Sequence, residues 1–241
     1  MNLPEQYRTI RQASETICRP LQTEDYVVQP VVDVSPPKWH LGHTTWFWET
    51  FVLMKYDLAY KVYNPDYNYV FNSYYETIGA RVIRTDRGNL SRPSVEEIYA
   101  YRKYVDAAMD RLLTSCATDD TPLRDTLLLG LNHEQQHQEL LCTDIKYILG
   151  NNPLFPALKN EEKIKSSTEK NIWIEIDAGV YEIGFEGEGF CFDNELKRHK
   201  VFLDDYAINS ALVTNEEYLD FMNAGGYKNY VYWHAEGWDW V

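Results

Sequence analysis

The run Asn132-His133-Glu134-Gln135-Gln136-His137-Gln138-Glu139 sets two imidazoles four residues apart. On a helix, positions i and i+4 share one face, so His133 and His137 can grip a single ion. A third imidazole on another core-facing helix would complete a ligand set. His43 supplies it, within Trp39-His40-Leu41-Gly42-His43-Thr44-Thr45-Trp46. Position 43 shares its face with Trp39, Trp46 and Thr50. His40 lies one turn earlier and reads as a core-edge residue, the alternative being a group that supports a ligand. Neutral imidazole serves zinc and iron alike, so the spacing does not choose the metal.

The same run also spells H-E-x-x-H, the signature of zinc proteases, with Glu134 as the general base. The rest of that pattern is missing. Leu140 and Thr143 stand where the longer signature has Gly and His, and where a related zinc protease would take a carboxylate ligand from a later helix, Glu161 and Glu162 sit in a polar linker. A third histidine upstream fits a helical bundle better.

Four helices are expected to position these residues. The first spans about Pro4 to Cys18. The second opens at Ser35-Pro36-Pro37, where Ser can cap and Pro suits the first turn. The third starts at Ser94 with Glu97 three residues on, a capping box. The fourth runs from about Pro122 to Leu149 and stops at Gly150-Asn151-Asn152-Pro153. On the fourth, Thr126 and Gly130 share the ligand stripe and leave room beside a metal, while Leu127, Leu131, Cys142 and Ile145 pack inward. A long crossover, Asp57 to Pro93, joins the second and third helices, and its Tyr, Phe and Arg content argues for a functional role. The simplest architecture is a four-helix bundle with one long crossover, residues 1–155.

After residue 155 comes a charged linker, KNEEKIKSSTEKN. IWIEIDAGVYEIGFE then alternates like short strands around a turn at Ala178-Gly179, HKVFLDDYAIN reads as one more strand, and Thr214 with Glu217 caps a short helix. Residues 170–241 thus open a second, mixed domain.

Composition narrows the classes. The net charge of −14 argues against nucleic acid or an anionic membrane as partner. The 19 Tyr and 7 Trp suit a pocket lined by rings with polar tips. Cys18, Cys116, Cys142 and Cys191 form no C-x-x-C pair and read as unpaired thiols. The N-terminus MNLPEQYRTIRQAS has no apolar signal core, and no stretch approaches ~18 apolar residues. The expectation is a cytoplasmic protein.

Three runs carry a resemblance: HLGHTTWFWETF, then FNSYYETIGARVIRTDRGNLSRPSVEEIYAYR, then LNHEQQHQELL. In order and spacing they resemble the ergothioneine-biosynthesis sulfoxide synthases. The tail, DNELKRHKVFLDDYAINSALVTNEEYLDFMNAGGY with HAEGWDWV, is similar to that family's second domain. The resemblance covers nearly the whole chain and implies an α+β protein: a DinB-like four-helix bundle followed by the start of a mixed formylglycine-generating-enzyme-like (C-type-lectin-like) domain. It implies an iron(II) enzyme that uses O2 to join the sulfur of cysteine or gamma-glutamylcysteine to the imidazole C2 of hercynine, as a sulfoxide. His43, His133 and His137 match the iron ligands, and Gln136 matches a residue that contacts the substrate imidazole. Related readings are an ovothiol- or selenoneine-type synthase, or an inactive metal-binding bundle. The family's second domain runs past the point where this chain ends, Val241, which implies a fragment or a shortened product.

That chemistry needs a proton donor near a reduced oxygen species, and Tyr74 and Tyr75 in the crossover are the candidates. The alternative is that they pack over the bundle mouth. Arg81, Arg84 and Arg87 recur every third residue beyond them. A guanidinium can hold a substrate carboxylate bidentately, so at least one is expected to bind substrate; otherwise they form a solvated basic stretch.

Overall fold

The computed structural model describes residues 2–73, 79–115, 121–159 and 171–241. Its chain divides into two compact units, residues 1–162 and 163–241.

In the first unit, α1 (Leu3–Cys18) begins where the Asn2 side chain accepts from Glu5 N at 3.0 Å. Helix α2 (Pro37–Phe47) continues through a π-helical stretch, Trp48–Leu53, into a short α3 (Met54–Tyr56). The crossover carries α4 (Tyr67–Phe71) and a 3-10 turn, Arg84–Asn89. Helix α5 (Val95–Ser115) starts at the expected capping box: Glu97 N donates to Ser94 Oγ at 3.1 Å, and Ser94 N donates to Glu97 Oε2 at 2.6 Å. Helix α6 (Thr121–Gly150) is the longest.

Helix α2 sits among α1, α5 and α6, and every one of its residues is buried. Such burial on all sides explains why its sequence shows no polar face. Gly42 is required there, because a Cβ would meet the Phe71 ring at 2.3 Å.

Three expectations about these helices are corrected. Ser35 does not cap α2; its N–H donates to Asp144 Oδ2 at 3.0 Å and its hydroxyl accepts from Arg87 at 2.8 Å. Gly130 does not leave space beside a metal: the Trp48 and Phe47 rings fill it, at 2.5 and 2.9 Å from where a Cβ would stand. Cys142 faces solvent instead of the core, because Leu141 and Ile145 take the inward positions of that turn.

The described part of the crossover is bound to the bundle at several points. Glu49 accepts from Tyr101 Oη at 2.6 Å, from Tyr60 Oη at 2.5 Å and from Tyr63 N at 3.0 Å. Further on, Trp46 Nε1 donates to Asn68 Oδ1 at 2.9 Å and Trp39 Nε1 to the Val70 carbonyl at 3.2 Å. The phenols of this segment and the α2 indoles that meet it serve as hydrogen-bond anchors as well as apolar bulk.

In the second unit, β1 (Trp173–Ile176) pairs antiparallel with β4 (Tyr206–Asn209), and β2 (Gly179–Ile183) pairs with β3 (His199–Leu203). The stretch from His199 to Asn209 is therefore two strands, not one. Nor do β1 and β2 pair with each other across the expected turn. Ile176 opposes Tyr206 and Gly179 opposes Leu203, so both ladders share one register, as a single ribbon interrupted at its middle. The interruption falls where that register sets Asp177 opposite Asp205 and Ala178 opposite Asp204, and like charges with poor strand propensity break a ladder. Helix α7 (Asn215–Asn223) opens on the expected Thr214/Glu217 capping box, and α8 (Ala235–Trp240) follows. Among the described residues of this unit, no hydrophobic side chain is buried.

Candidate metal centre

Helices α2 and α6 cross with His40 and His43 facing His133 and His137. The imidazoles of His43, His133 and His137 each offer a nitrogen to one point, with these atoms within 4.8 Å of one another. His43 Nε2 lies 3.2 Å from His133 Nε2. On its other side, His43 Nδ1 donates to the Phe71 carbonyl at 2.6 Å. That bond places the ring's hydrogen on Nδ1 and leaves a lone pair on Nε2. Trp39 stacks on the His43 ring, with centroids 4.6 Å apart and planes 9° apart. His40 lies between His137 and Asp144, at 2.9 Å and 2.8 Å.

Burial keeps these rings neutral. It holds His133 down at about 4 and pushes His43 and His137 well below the ordinary histidine range, with neighbouring imidazoles acting in the same direction. The donor set is three neutral imidazoles, and His133 Nδ1 is buried without a hydrogen-bond partner among the described residues. Such a set fits a divalent first-row metal with coordination positions to spare.

Glu134 turns away from this point. Its carboxylate is fully buried and accepts from Arg11 Nη1 at 3.1 Å, Arg102 at 3.3 Å, Ser14 Oγ at 2.8 Å and Trp48 Nε1 at 2.9 Å. Burial alone would raise its pKa, but the two guanidiniums and the hydroxyl and indole donors hold it at about 2. A base so engaged and so weak cannot activate a metal-bound water, which removes the protease reading of H-E-x-x-H.

A cavity of about 440 Å³ opens beside the three imidazoles. Its wall includes Trp39, Ser73, Arg84, Arg87, Gln136 and Asp144. The Arg87 guanidinium lies 3.4 Å from the centre of a Trp39 ring and donates to Ser35 Oγ at 2.8 Å. Arg84 donates to the Asp33 carbonyl. Arg81 is outside the described lining and donates to the Ser73 carbonyl. The structure thus brings His43, His133, His137, Gln136, Arg84 and Arg87 together. Tyr74 and Tyr75 lie outside the described residues.

The sequence reading missed Asp144, Ser35 and the Phe71 carbonyl. Asp144 carried a signal: seven residues after His137, it returns to the same face of α6 two turns on. The Phe71 carbonyl carried none, because every residue has one. Cys18, Cys142 and Cys191 are free. Among the described residues, no helix is long and apolar enough to cross a membrane.

A helical bundle with a histidine cluster across two of its helices defines a class that comparison with known families makes specific. The DinB superfamily model matches residues 6–141, and the chain belongs to that superfamily. A sulfatase-modifying factor enzyme 1-like domain matches residues 157–241. Among individual proteins, the chain is similar to the hercynine oxygenase of Mycolicibacterium smegmatis (strain ATCC 700084 / mc(2)155). The two are 26% identical over 161 residues, 64% of this chain and 36% of that protein. The match spans little more than a third of the relative's length. The order of the two domains and this similarity bear out the resemblance to the ergothioneine-type sulfoxide synthases, and the α+β class with it.

Proposed function

We propose that this chain carries the iron(II) site of an O2-dependent sulfoxide synthase, which joins the sulfur of cysteine or gamma-glutamylcysteine to the imidazole C2 of hercynine. One observation carries the reading: three neutral imidazoles, two buried and that of His137 half-buried, border a cavity whose wall also holds two guanidiniums. Iron(II) bound there supplies a Lewis acid for a thiol and a one-electron centre for O2. His43, His133 and His137 hold the ion. Arg87, stacked and hydrogen-bonded in advance, takes a carboxylate of the thiol substrate with little reorganisation, and Arg84 takes a second carboxylate or assists the first. Gln136 offers an amide to the hercynine imidazole. Tyr74 or Tyr75 gives the proton that steers the reaction toward C–S bond formation. The free thiols suit a cytoplasmic setting.

The test loads the protein with iron(II) without air, then adds hercynine, each thiol and O2, with products read by mass spectrometry. The expected product is the hercynine-linked sulfoxide. Iron bound at three histidines with no coupled product from either thiol overturns the reading. Histidine in place of hercynine, or a selenium donor in place of the thiol, separates the ovothiol- and selenoneine-type readings in the same assay.

A further inference from the structure

We infer that His40 and Asp144 are positioning residues of the metal centre: they hold the His137 imidazole in the one tautomer and ring orientation that aim its Nε2 lone pair at the ion. The inference rests on the three-histidine site proposed above and involves no substrate.

The direction of each hydrogen bond follows from the one before it. Asp144 Oδ2 accepts from the backbone N–H of Ser35 at 3.0 Å, a group that can only donate. The same oxygen lies 2.8 Å from His40 Nε2, and because a carboxylate only accepts, the hydrogen between them sits on His40. A neutral imidazole has one N–H, and His40 Nδ1 is then a lone pair. That lone pair faces His137 Nδ1 at 2.9 Å. The hydrogen there must come from His137, which leaves its Nε2 bare. The Phe71 carbonyl does the same for His43 in a single step. For His137 the order of groups is backbone amide, carboxylate, imidazole, ligand.

Both intermediates are shielded, with His40 3% and Asp144 7% exposed, so water competes little for these bonds. Carboxylates commonly orient metal-bound histidines directly and strengthen them as ligands. Here a second imidazole is interposed between carboxylate and ligand. The spacing serves it: His40 is one turn before His43 on α2, and Asp144 is two turns after His137 on α6.

Two measurements test the inference. The first needs no variant: 15N NMR of the metal-free protein is expected to find His137 protonated on Nδ1, and protonation on Nε2 overturns the relay. The second titrates cobalt(II), then iron(II) without air, into His40→Phe and His40→Gln, with folding checked by circular dichroism. The Phe variant keeps a ring but offers no acceptor, and its affinity is expected to fall about 10–100-fold. The Gln amide can accept from His137 while donating to Asp144, and it is expected to restore affinity to within a few-fold of wild type. Unchanged affinity in folded His40→Phe overturns the inference alone, whereas a wild-type protein that takes up neither ion sinks the metal reading itself. If His40→Phe does not fold, the Gln variant and the tautomer measurement decide.

Discussion

Glu134 and Arg11 meet in a buried ion pair at 3.1 Å, one position along α6 from His133. The residue that a protease would use as its base is the centre of a core network, with Arg102 on its second side. Neighbouring residues on one helix thus serve opposite ends, His133 toward the imidazole cluster and Glu134 toward the fold.

Replacing Glu134 by Gln removes the buried charge that two guanidiniums share, leaving Arg11 paired with Asp106 at 2.7 Å and Arg102 with Glu15 at 3.2 Å. The expected cost is about 3 kcal/mol of stability, the low end of the range for breaking a buried pair from one side because each guanidinium keeps one partner, read as a lower thermal midpoint by calorimetry. The pH dependence has a definite sign. Glu134 titrates at about 2 in the folded protein, below its ordinary 4.5. Its contribution is therefore full above about pH 4.5 and lost as pH falls toward 2. In Glu134→Gln that part of the acid sensitivity disappears. Metal uptake is expected to survive, and zinc-loaded protein is expected to cleave no peptide; robust cleavage by the wild type would restore the protease reading.

The three histidines are expected to hold about one iron per chain. His133→Ala and His137→Ala should lose it, and His43→Ala should bind it more weakly, as measured by elemental analysis after anaerobic loading. Unchanged iron content in His43→Ala would remove α2 from the centre.

The arginines separate by position. Arg87 stacks on Trp39 in the cavity wall, whereas Arg81 is outside the described lining and has one donor taken by the Ser73 carbonyl. Arg87→Lys keeps the charge but loses the planar fork. Its KM for the thiol substrate is expected to rise about tenfold or more, in line with a charge-assisted pair, while Arg81→Lys changes it little. Equal effects at both positions would remove the distinction between them, and no effect at either would show that charge alone matters.

Tyr74→Phe and Tyr75→Phe remove a proton and keep the ring. If either phenol donates, metal and substrate binding should survive while C–S bond formation falls or diverts to the sulfinate of the thiol. An unchanged rate and product ratio in both variants and in the double variant would assign the proton to another group.

The helices were legible in the sequence because their signals are local. Capping boxes at Ser94/Glu97 and Thr214/Glu217 act over three residues, and the i, i+4 spacing of His133 and His137 sets a face without reference to any other element. The order of the motifs likewise pointed to the bundle followed by a mixed domain. What the sequence alone determined is thus which residues share a face and about where the long helices begin.

Tertiary structure decided which faces meet. Glu134 binds Arg11 across 123 positions and Ser14 across 120, and nothing periodic links them. Ser35 looked like a cap until Asp144 and Arg87 engaged it, and Gly130 looked like space until two rings filled it. His40 read as a core-edge residue because its partners lie 97 and 104 positions away. Helical periodicity carries no information about crossing geometry, and the directions of those hydrogen bonds follow only once packing has brought donor and acceptor together in a place that excludes water.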